Sequence, residues 1–293
     1  MKVFVTGASG FVGSAVVQEL LQAGYQVLGL ARSDKSAQAL TAAGAEVLRG
    51  DLNDLDSLKH GASTTDGVIH LAFIHDFSQY QAAAVTDQRA IEAMGSILVG
   101  SNRPLVVTSG LAGFPEGRIA TEQDVPTSGA RTSEQAALAL VPQGVRASVV
   151  RLAASVHDQG DHGFVPYLIE VARQKGEAAY IGEGLNRWPA VHRLDAAHLF
   201  RLALEKAPAG ACYHGVADEG ISLRDLADII GRHLNVPVAS KSVEEATEHF
   251  NWIARFASMD LAASSALTQQ WLDWHPTRVG LLEDLEQGHY FAS

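Results

Sequence analysis

Three glycines near the start of the chain have the spacing of a turn that binds a diphosphate. Gly7, Gly10 and Gly13 lie in the sequence TGASGFVG, between an apolar run and a segment with helical spacing. Because glycine has no Cβ, the backbone at these positions can approach a phosphate closely, and the free N–H groups of a helix start favour an anion. Strand, glycine turn and helix in that order predict a dinucleotide site. The alternative is a glycine-rich turn that binds nothing.

The residues after the second predicted strand indicate which dinucleotide is bound. NAD-binding proteins are expected to carry an acidic residue for the adenosine ribose about 20 positions after the glycines. Here the predicted strand 27–31 is followed by Arg32 and Ser33. A guanidinium can bind the 2′-phosphate of NADP(H) with two hydrogen bonds, and no carboxylate at this strand end repels it. We therefore predict NADP(H) rather than NAD(H), the alternative being that Arg32 is a solvated loop charge.

The composition excludes two classes of partner. A net charge of −11 repels polyanions, so neither nucleic acid nor an anionic membrane is expected as a partner. The contents of 47% hydrophobic and 19% charged residues are ordinary for a soluble enzyme. The single cysteine, Cys212, excludes an intrachain disulfide, no apolar run has membrane-spanning length, and the first predicted strand leaves no room for a cleavable signal. We expect a cytoplasmic protein.

Strands and helices are predicted to alternate through the first half of the chain. The strand-like runs are 3–6, 27–31, 46–48, 68–71, 105–108 and 147–151. Helical spacing separates them, for example at 12–23 and 78–99. Alternation of this kind predicts a parallel sheet with helices on both faces, and continuous apolar runs suit strands that are buried on both sides. The predicted fold class is α/β, a doubly wound parallel (Rossmann) sheet.

The pattern changes after Arg151. Polar, irregular segments appear, and helical spacing returns at 164–175, 195–205, 223–234 and 243–256. We predict a dinucleotide-binding domain at 1–155, to which 187–216 returns, and a smaller, mostly helical substrate lobe at 156–186 and 217–293. Open α/β folds bind ligands at the carboxyl edge of the sheet, so the lobe should lie over that edge.

Five further motifs follow the glycine turn. They are Asp51-Leu52, His70-Leu71-Ala72, Val107-Thr108-Ser109, the stretch RLAASVH at 151–157 and the stretch VHRLDAA at 191–197. In type and order they resemble the motifs of the extended short-chain dehydrogenases/reductases, which include sugar-nucleotide epimerases, dehydratases and many carbonyl reductases. The stretch at 151–157 resembles the family's RPxxVYG, with leucine in the proline position and histidine near the tyrosine position. The resemblance covers nearly the whole chain.

The resemblance implies roles for individual residues. It implies that Ser109 is the catalytic hydroxyl and that the Asp51 carboxylate meets the adenine amino group. With the residues discussed above, the expected cofactor-binding set is Thr6, Gly7, Ser9, Gly10, Phe11, Val12, Gly13, Arg32, Ser33, Asp51, Leu52, Leu71, Ala72 and Arg151. Dimers are common in the family, so a monomer or a homodimer is expected.

One motif of the family is missing, and it concerns chemistry. The family carries Tyr-x-x-x-Lys, in which the tyrosine donates a proton and the lysine lowers its pKa and holds the nicotinamide ribose. When Ser133 is aligned with the serine before that lysine, Ala130 takes the tyrosine position and Glu134 the lysine position. No shift of the alignment restores the pair, because the chain has no tyrosine between positions 80 and 167 and no lysine between 59 and 175.

The segment that lacks this pair also has a purely structural interpretation. Thr132 and Gln135 have the spacing of a capping box, in which each side chain bonds a backbone N–H of the first helical turn. We predict that these two residues begin a helix that leads to Leu140.

The missing tyrosine limits the reaction. Oxidation of a sugar hydroxyl needs a base that removes its proton, and Ala130 cannot supply one. Reduction of an activated ketone needs less, because Ser109 can hold the growing alkoxide and the final proton can come from water or a neighbouring hydroxyl. The pattern is similar to that of tyrosine-lacking polyketide ketoreductases, which act on polycyclic, quinone-like ketones. The sequence therefore favours a reductase of a small-molecule carbonyl over an epimerase or dehydratase.

Histidines and aromatic residues in later segments are predicted to border the substrate cleft. The predicted substrate-binding residues are Phe114, His157, His162, Phe164, Trp188 and His192. Each histidine is a candidate replacement acid, since imidazole titrates near neutrality, with a loop or packing role as the alternative. Core packing accounts equally well for Phe164, which shares a helix face with Tyr167. The histidines and aspartates at 157–162 lack the paired spacing of metal ligands, so no metal is predicted.

Two other functions remain open from the sequence. The missing acid and base are compatible with a non-catalytic NADP-binding redox sensor that signals through a partner. A sugar-nucleotide epimerase or dehydratase is the third candidate, although neither Ala130 nor the Ala31-Arg32 strand end suits it.

Overall fold

The computed structural model of this protein describes residues 1–76, 79–127 and 132–292. Numbered along the chain, the strands among these residues are β1 Lys2–Thr6, β2 Gln26–Ala31, β3 Glu46–Arg49, β4 Gly67–His70, β5 Pro104–Gly110, β6 Arg146–Leu152, β7 Ser155–His157, β8 Ala178–Ile181, β9 Arg187–His192, β10 Cys212–Gly215, β11 Asp218–Ser222 and β12 Val238–Lys241. The helices are α1 Phe11–Gln22, α2 Asp34–Ala43, α3 Leu55–Ser63, α4 Tyr80–Leu98, α5 Ser133–Leu138, α6 Phe164–Lys175, α7 Arg193–Lys206, α8 Leu223–Leu234, α9 Val243–Phe250, α10 Ala254–Ala257, α11 Ala266–Leu272 and α12 Leu281–Glu286.

A seven-stranded sheet forms the larger part of the molecule. Its order is β10-β6-β5-β4-β1-β2-β3, and its neighbouring strands are parallel. The chain leaves β1 toward β2 and β3, and then returns to the other side of β1 as β4. In open α/β folds a ligand crevice lies at the carboxyl ends of the strands where this reversal occurs. The carboxyl ends of β1 and β4 are therefore the expected centre of a site.

Helices cover both faces of this sheet. α1 packs against α7 on one face, and α3 and α5 pack against α4 on the other. The central strand segment Leu105-Val106-Val107 is fully buried, as its continuous apolar run predicted. The predicted doubly wound α/β fold is confirmed.

The smaller lobe combines helices with short strands. β11, β9 and β7 form a three-stranded sheet, and β12 pairs with β8. Apolar residues of β8, β9, β11 and β12 share a core with α6, α8 and α9. Val156 of β7 and Val191 of β9 pack instead with a cluster that flanks the large sheet. β10 lies at the edge of the large sheet, whereas β9 belongs to the small one.

The glycine turn joins β1 to α1 with little spare space. Gly7 has a φ of +67°, and a Cβ there would lie 2.7 Å from the backbone nitrogen of Ala72. A Cβ on Gly13 would lie 2.0 Å from the carbonyl oxygen of Gly7. Gly7 therefore lets the turn approach the end of β4, and Gly13 lets α1 approach the turn.

None of the helices in the described ranges combines the length and the apolar character needed to cross a membrane.

Candidate functional site

The start of α1 has the features of an anion site. Gly10 is its N-cap, with no side-chain cap and no acidic residue in the first turn, so the backbone N–H groups there keep their hydrogen-bonding capacity. A Cβ added to the exposed Gly10 would meet one backbone atom, the oxygen of Gly7, at 3.1 Å. Apart from its chain neighbours, no other atom of the described residues lies within 4 Å of that position, so a phosphate can approach the backbone there. Gly7, Gly10 and Gly13 thus fit the group that the sequence predicted.

The end of β2 presents an uncommitted cation. Arg32 is exposed, and no carboxylate of the described residues pairs with it. Ser33 caps α2 by accepting from the N–H of Ser36 at 3.2 Å. The nearby Asp34 is bound to Arg49, which offsets its negative charge. Arg32 and the start of α2 could together hold a 2′-phosphate.

The adenine side of the predicted site follows β3. Asp51 is exposed, and its Oδ1 accepts from the N–H of Asn53 at 2.7 Å, which fixes the carboxylate beside the strand end. Leu52 is buried beneath it, while Leu71 and Ala72 are half-buried after β4. Ser9 is exposed on the glycine turn, and Phe11 and Val12 are half-buried in the first turn of α1.

Four fully buried side chains link the glycine turn to α5. The Thr6 hydroxyl accepts from the N–H groups of Leu71 and Ala72, at 3.2 and 3.3 Å, so its proton is available to His70 Nδ1 at 2.7 Å. His70 Nε2 then donates to Asp87 at 3.0 Å. The Ser133 hydroxyl donates to the second oxygen of Asp87.

This polar chain fixes the relative positions of β1, β4, α4 and α5. Thr108 adds a further bond from β5, since its hydroxyl donates to the His70 carbonyl at 2.9 Å. The sequence predicted Thr6 among the cofactor contacts. The structure instead buries its side chain below the turn, where it holds the backbone that a cofactor would meet.

Ser109 lies at the carboxyl end of β5, beside the strand reversal. It is 7% exposed, and its backbone is in register with Arg151 of β6. Among the described residues, no group hydrogen-bonds its hydroxyl. A hydroxyl held on a rigid strand end without a protein partner can donate to an oxygen of a bound substrate.

The lysine position of the family is occupied by one half of a buried ion pair. Glu134 of α5 accepts two hydrogen bonds from the Arg151 guanidinium, at 2.8 and 2.7 Å. Their side chains are 7% and 2% exposed, respectively. Although burial disfavours a charged guanidinium, the Glu134 carboxylate keeps the pKa of Arg151 raised. The negative charge brought by Glu134 is therefore neutralised within the protein.

The Arg151 guanidinium has further partners on its other side. It donates to the carbonyl of Glu122 at 3.2 Å and to His214 Nε2 at 3.2 Å, and it stacks on the ring of Phe114. His214 Nδ1 donates to the Ser264 carbonyl at 2.7 Å, which leaves Nε2 as an acceptor. Burial lowers the pKa of His214 to about 4, so the ring is neutral at pH 7.

Two sequence predictions about this region need correction. Arg151 was expected to contact the cofactor, but its guanidinium is buried and committed to Glu134 and Glu122. Thr132 was expected to form a capping box with Gln135, but its hydroxyl donates to a Gln88 side chain at 3.3 Å and makes no cap bond. Ala130, in the tyrosine position, lies outside the described residues.

The predicted substrate-side histidines occupy different environments. His157 is fully buried, with Nδ1 2.8 Å from Asp284, so it has no surface to offer a substrate. His192 packs edge-on against His157 and caps α7 by accepting from Leu194. Burial lowers the pKa of His192, opposed by Asp158. His162 is exposed on the following loop, 5.9 Å from Phe11 between ring centroids.

The predicted aromatic residues also lie in different environments. Trp188 is fully buried, and its indole N–H donates to the carbonyl of Phe256, so this residue belongs to the core and not to a cleft wall. Phe164 is half-buried among Trp188, Trp252 and Phe256. Phe114 is half-buried between Arg151 and His214.

In the part of the chain that the structure describes, no group of three or more histidine, cysteine or acidic residues has metal-binding geometry.

Several residues that shape the site were missed from the sequence. Asp87 offered a usable signal, because a carboxylate on the otherwise apolar stripe of α4 must find a partner when that stripe is buried. The partners of Glu134 and of Asp284 had no local signal, since each pair joins elements that are distant along the chain.

A sequence model of the NAD dependent epimerase/dehydratase family matches residues 3–98. An uncharacterized protein of Schizosaccharomyces pombe is 52% identical over 99% of this chain and 100% of its own length. A 2-alkyl-3-oxoalkanoate reductase of Stenotrophomonas maltophilia is 28% identical over 85% of this chain and 80% of its own.

A solved structure has the same fold. The dTDP-glucose 4,6-dehydratase of Streptomyces venezuelae, with NAD and TYD bound, superposes with a TM-score of 0.80 at 19% identity. The match covers 99% of this chain and 97% of that one. At this identity the likeness concerns the fold alone.

The buried ion pair generates a stability prediction. Arg151→Met leaves the Glu134 carboxylate buried without its cation, so we expect the free energy of unfolding to fall by about 3–5 kcal/mol. Urea unfolding is the measurement. Arg49→Met, which breaks the exposed pair with Asp34, is the matched control and should cost about 0–1 kcal/mol.

Adding Glu134→Gln to the Arg151→Met variant removes the unpaired charge and should recover part of the loss. Equal costs for Arg151→Met and Arg49→Met would show that the buried pair has no special structural role.

His214 generates a prediction about acid stability. Its pKa is about 4 in the folded chain and 6.5 as the ordinary value, so between these pH values the unfolded chain binds the extra proton. The contribution of neutral His214 to the free energy of unfolding is complete above pH 6.5. It is lost as the pH falls toward 4, by about 3 kcal/mol in total.

His214→Gln removes this titration. Urea unfolding from pH 7 to 4 should therefore give a shallower loss of stability for His214→Gln than for the wild type. Parallel curves for the two proteins would contradict the placement of a neutral His214 in the network.

Proposed function

Because the chain belongs to the NAD-dependent epimerase/dehydratase family, we propose that it is an NADPH-dependent reductase of small ketones or quinone-like carbonyls. The ion pair between Glu134 and Arg151 is the observation that carries this proposal. A carboxylate stands where the family's lysine would lower the pKa of a phenol, and the chain has no tyrosine between positions 80 and 167. Oxidation of a sugar hydroxyl needs a base, which neither Ala130 nor the Glu134 carboxylate paired with Arg151 supplies, whereas reduction of an electron-poor carbonyl does not require one.

The bound reduced nicotinamide would supply the hydride. The Ser109 hydroxyl then donates a hydrogen bond to the substrate oxygen as negative charge develops on it. The polar chain from Thr6 to Ser133 fixes the strand ends around Ser109, so little reorganisation is needed during the reaction. Water or a neighbouring substrate hydroxyl supplies the final proton. Loss of a general acid costs roughly 10²–10⁴-fold, which an activated substrate can offset.

The preference for NADPH is supported by Arg32. It is an exposed guanidinium at the end of β2, beside Ser33 and the start of α2, and Asp34 is already paired with Arg49. A 2′-phosphate there would gain charge-assisted hydrogen bonds that the ribose of NADH cannot make.

The substrate class is supported by two aromatic residues that the sequence predicts at the border of the cleft, and by one relative. Phe164 and Phe114 bring half-buried aromatic surface, and binding pockets are mostly apolar with few polar groups. The relative from Stenotrophomonas maltophilia is a reductase of 2-alkyl-3-oxoalkanoates, which are ketones. For its partners, we propose a small apolar ketone as the substrate and a protein that is a monomer or a homodimer.

The direct test is NADPH oxidation with cyclic diketones, quinones and 3-oxo acids as substrates. Ser109→Ala should lower kcat by roughly 10²–10³-fold, as loss of one oxyanion donor does, and leave the NADPH Kd unchanged. Ser63→Ala, at the exposed end of α3, is the matched control. Tight NADPH binding with no turnover on any substrate would favour a redox sensor instead.

The cofactor preference has a separate test. Arg32→Ala should weaken NADPH binding by roughly 10–100-fold, the loss expected for hydrogen bonds to a charged group, and change the NADH Kd little. Isothermal titration calorimetry measures both. Arg89→Ala, an exposed arginine on α4, should change neither. If Arg32→Ala weakens NADPH and NADH equally, Arg32 does not select the phosphorylated cofactor.

A further inference from the structure

The end of the chain holds the loop that follows β7. We call residues 284–291 the C-terminal strap and residues 158–163 the clasp loop. The Tyr290 hydroxyl of the strap donates to Asp161 Oδ2 at 3.1 Å and accepts from the backbone N–H of Asp158 at 3.3 Å. Asp284 holds His157, the residue before the clasp loop, at 2.8 Å. The strap therefore fixes both the start and the tip of this loop.

The strap itself is anchored to the smaller lobe. The ring of Phe291 stacks on His233, with centroids 4.3 Å apart and planes 5° from parallel, and its carbonyl accepts from Arg173 at 3.0 Å. Burial raises the pKa of Tyr290, so its hydroxyl keeps the proton that it donates. These contacts make the strap a rigid support for the clasp loop.

The clasp loop reaches the diphosphate-binding turn through Phe11. The rings of His162 and Phe11 meet edge-on at 5.9 Å, and the Arg193 guanidinium lies 4.8 Å from the Phe11 ring centre. Arg193 is in turn paired with Asp158 of the clasp loop at 2.9 Å. Phe11 is the first residue of α1, so its backbone N–H is one of the donors available to an anion.

We propose that Tyr290 is a positioning residue for the cofactor. Tyr290 acts through the clasp loop, which holds Phe11 and the first turn of α1 in the anion-binding geometry. Donors that are fixed in advance bind without an ordering cost, so removing the support should weaken binding. The inference rests on the proposed NADPH site.

Tyr290→Phe tests the proposal, because it removes only the hydroxyl. We expect a three- to tenfold weaker NADPH Kd, the range for loss of about one hydrogen bond, mainly through faster dissociation in stopped-flow experiments. Binding of 2′-AMP, which lacks the diphosphate, should not change. Tyr25→Phe is the matched control, because it removes a hydroxyl bond to the Glu205 carboxylate at the opposite end of α1.

Two further measurements separate positioning from general destabilisation. In the cofactor-free protein, hydrogen exchange at 158–163 and in the first turn of α1 should be faster in Tyr290→Phe, with no change in the Tyr25→Phe protein. His162→Ala, at an exposed position, should weaken NADPH binding, and Tyr290→Phe should add less than its full effect in that background.

The outcomes distinguish this inference from the proposed function. If the wild type binds NADPH and Tyr290→Phe binds it equally well with unchanged hydrogen exchange, the positioning role is wrong and the cofactor site stands. If the wild type binds no NADPH, both are wrong. Equal weakening of NADPH and 2′-AMP would indicate loss of the fold and would also overturn the positioning role.

Discussion

A chain of four fully buried polar side chains, from Thr6 through His70 and Asp87 to Ser133, is the constraint on which the site depends. Each side chain is hydrogen-bonded to the next, which is necessary because a buried polar group without a hydrogen-bond partner costs free energy. These four side chains join β1, which precedes the glycine turn, to β4, α4 and α5. Ser109, the glycine turn and α5 consequently keep one relative arrangement.

The second constraint concerns charge. A parallel sheet edge with helix starts around it carries positive potential, and a lysine would normally add to that potential. In this chain Glu134 takes the position of that lysine, and its partner Arg151 is buried in the large sheet. The positive charge of Arg151 is therefore not exposed at the sheet edge. In the function proposed above, affinity for a phosphorylated cofactor comes from the glycine turn and from the exposed Arg32. An acidic protein of net charge −11 can thus hold an anion through a local site.

Much of the fold could be predicted from the sequence, because strand periodicity and glycine spacing are local properties. The first six strands were predicted to within about two residues of their ends, since each is a short apolar run bounded by polar or glycine residues. The glycine turn was predicted for the same reason. Local pattern could not place Trp188 and His157, because tryptophan and histidine occur both in cores and in clefts. It also could not pair Glu134 with Arg151 or Tyr290 with Asp161, since those contacts depend on how distant elements pack.

The Glu134–Arg151 pair also bears on how this lineage can change. A single substitution to lysine at 134 would put two cations side by side in a buried space, and a single substitution at 151 would strand a carboxylate there. Each of these single substitutions is expected to destabilise the fold. The effect of a change at one position therefore depends on the residue at the other. A lysine at position 134 is therefore compatible with this buried space only when position 151 changes with it.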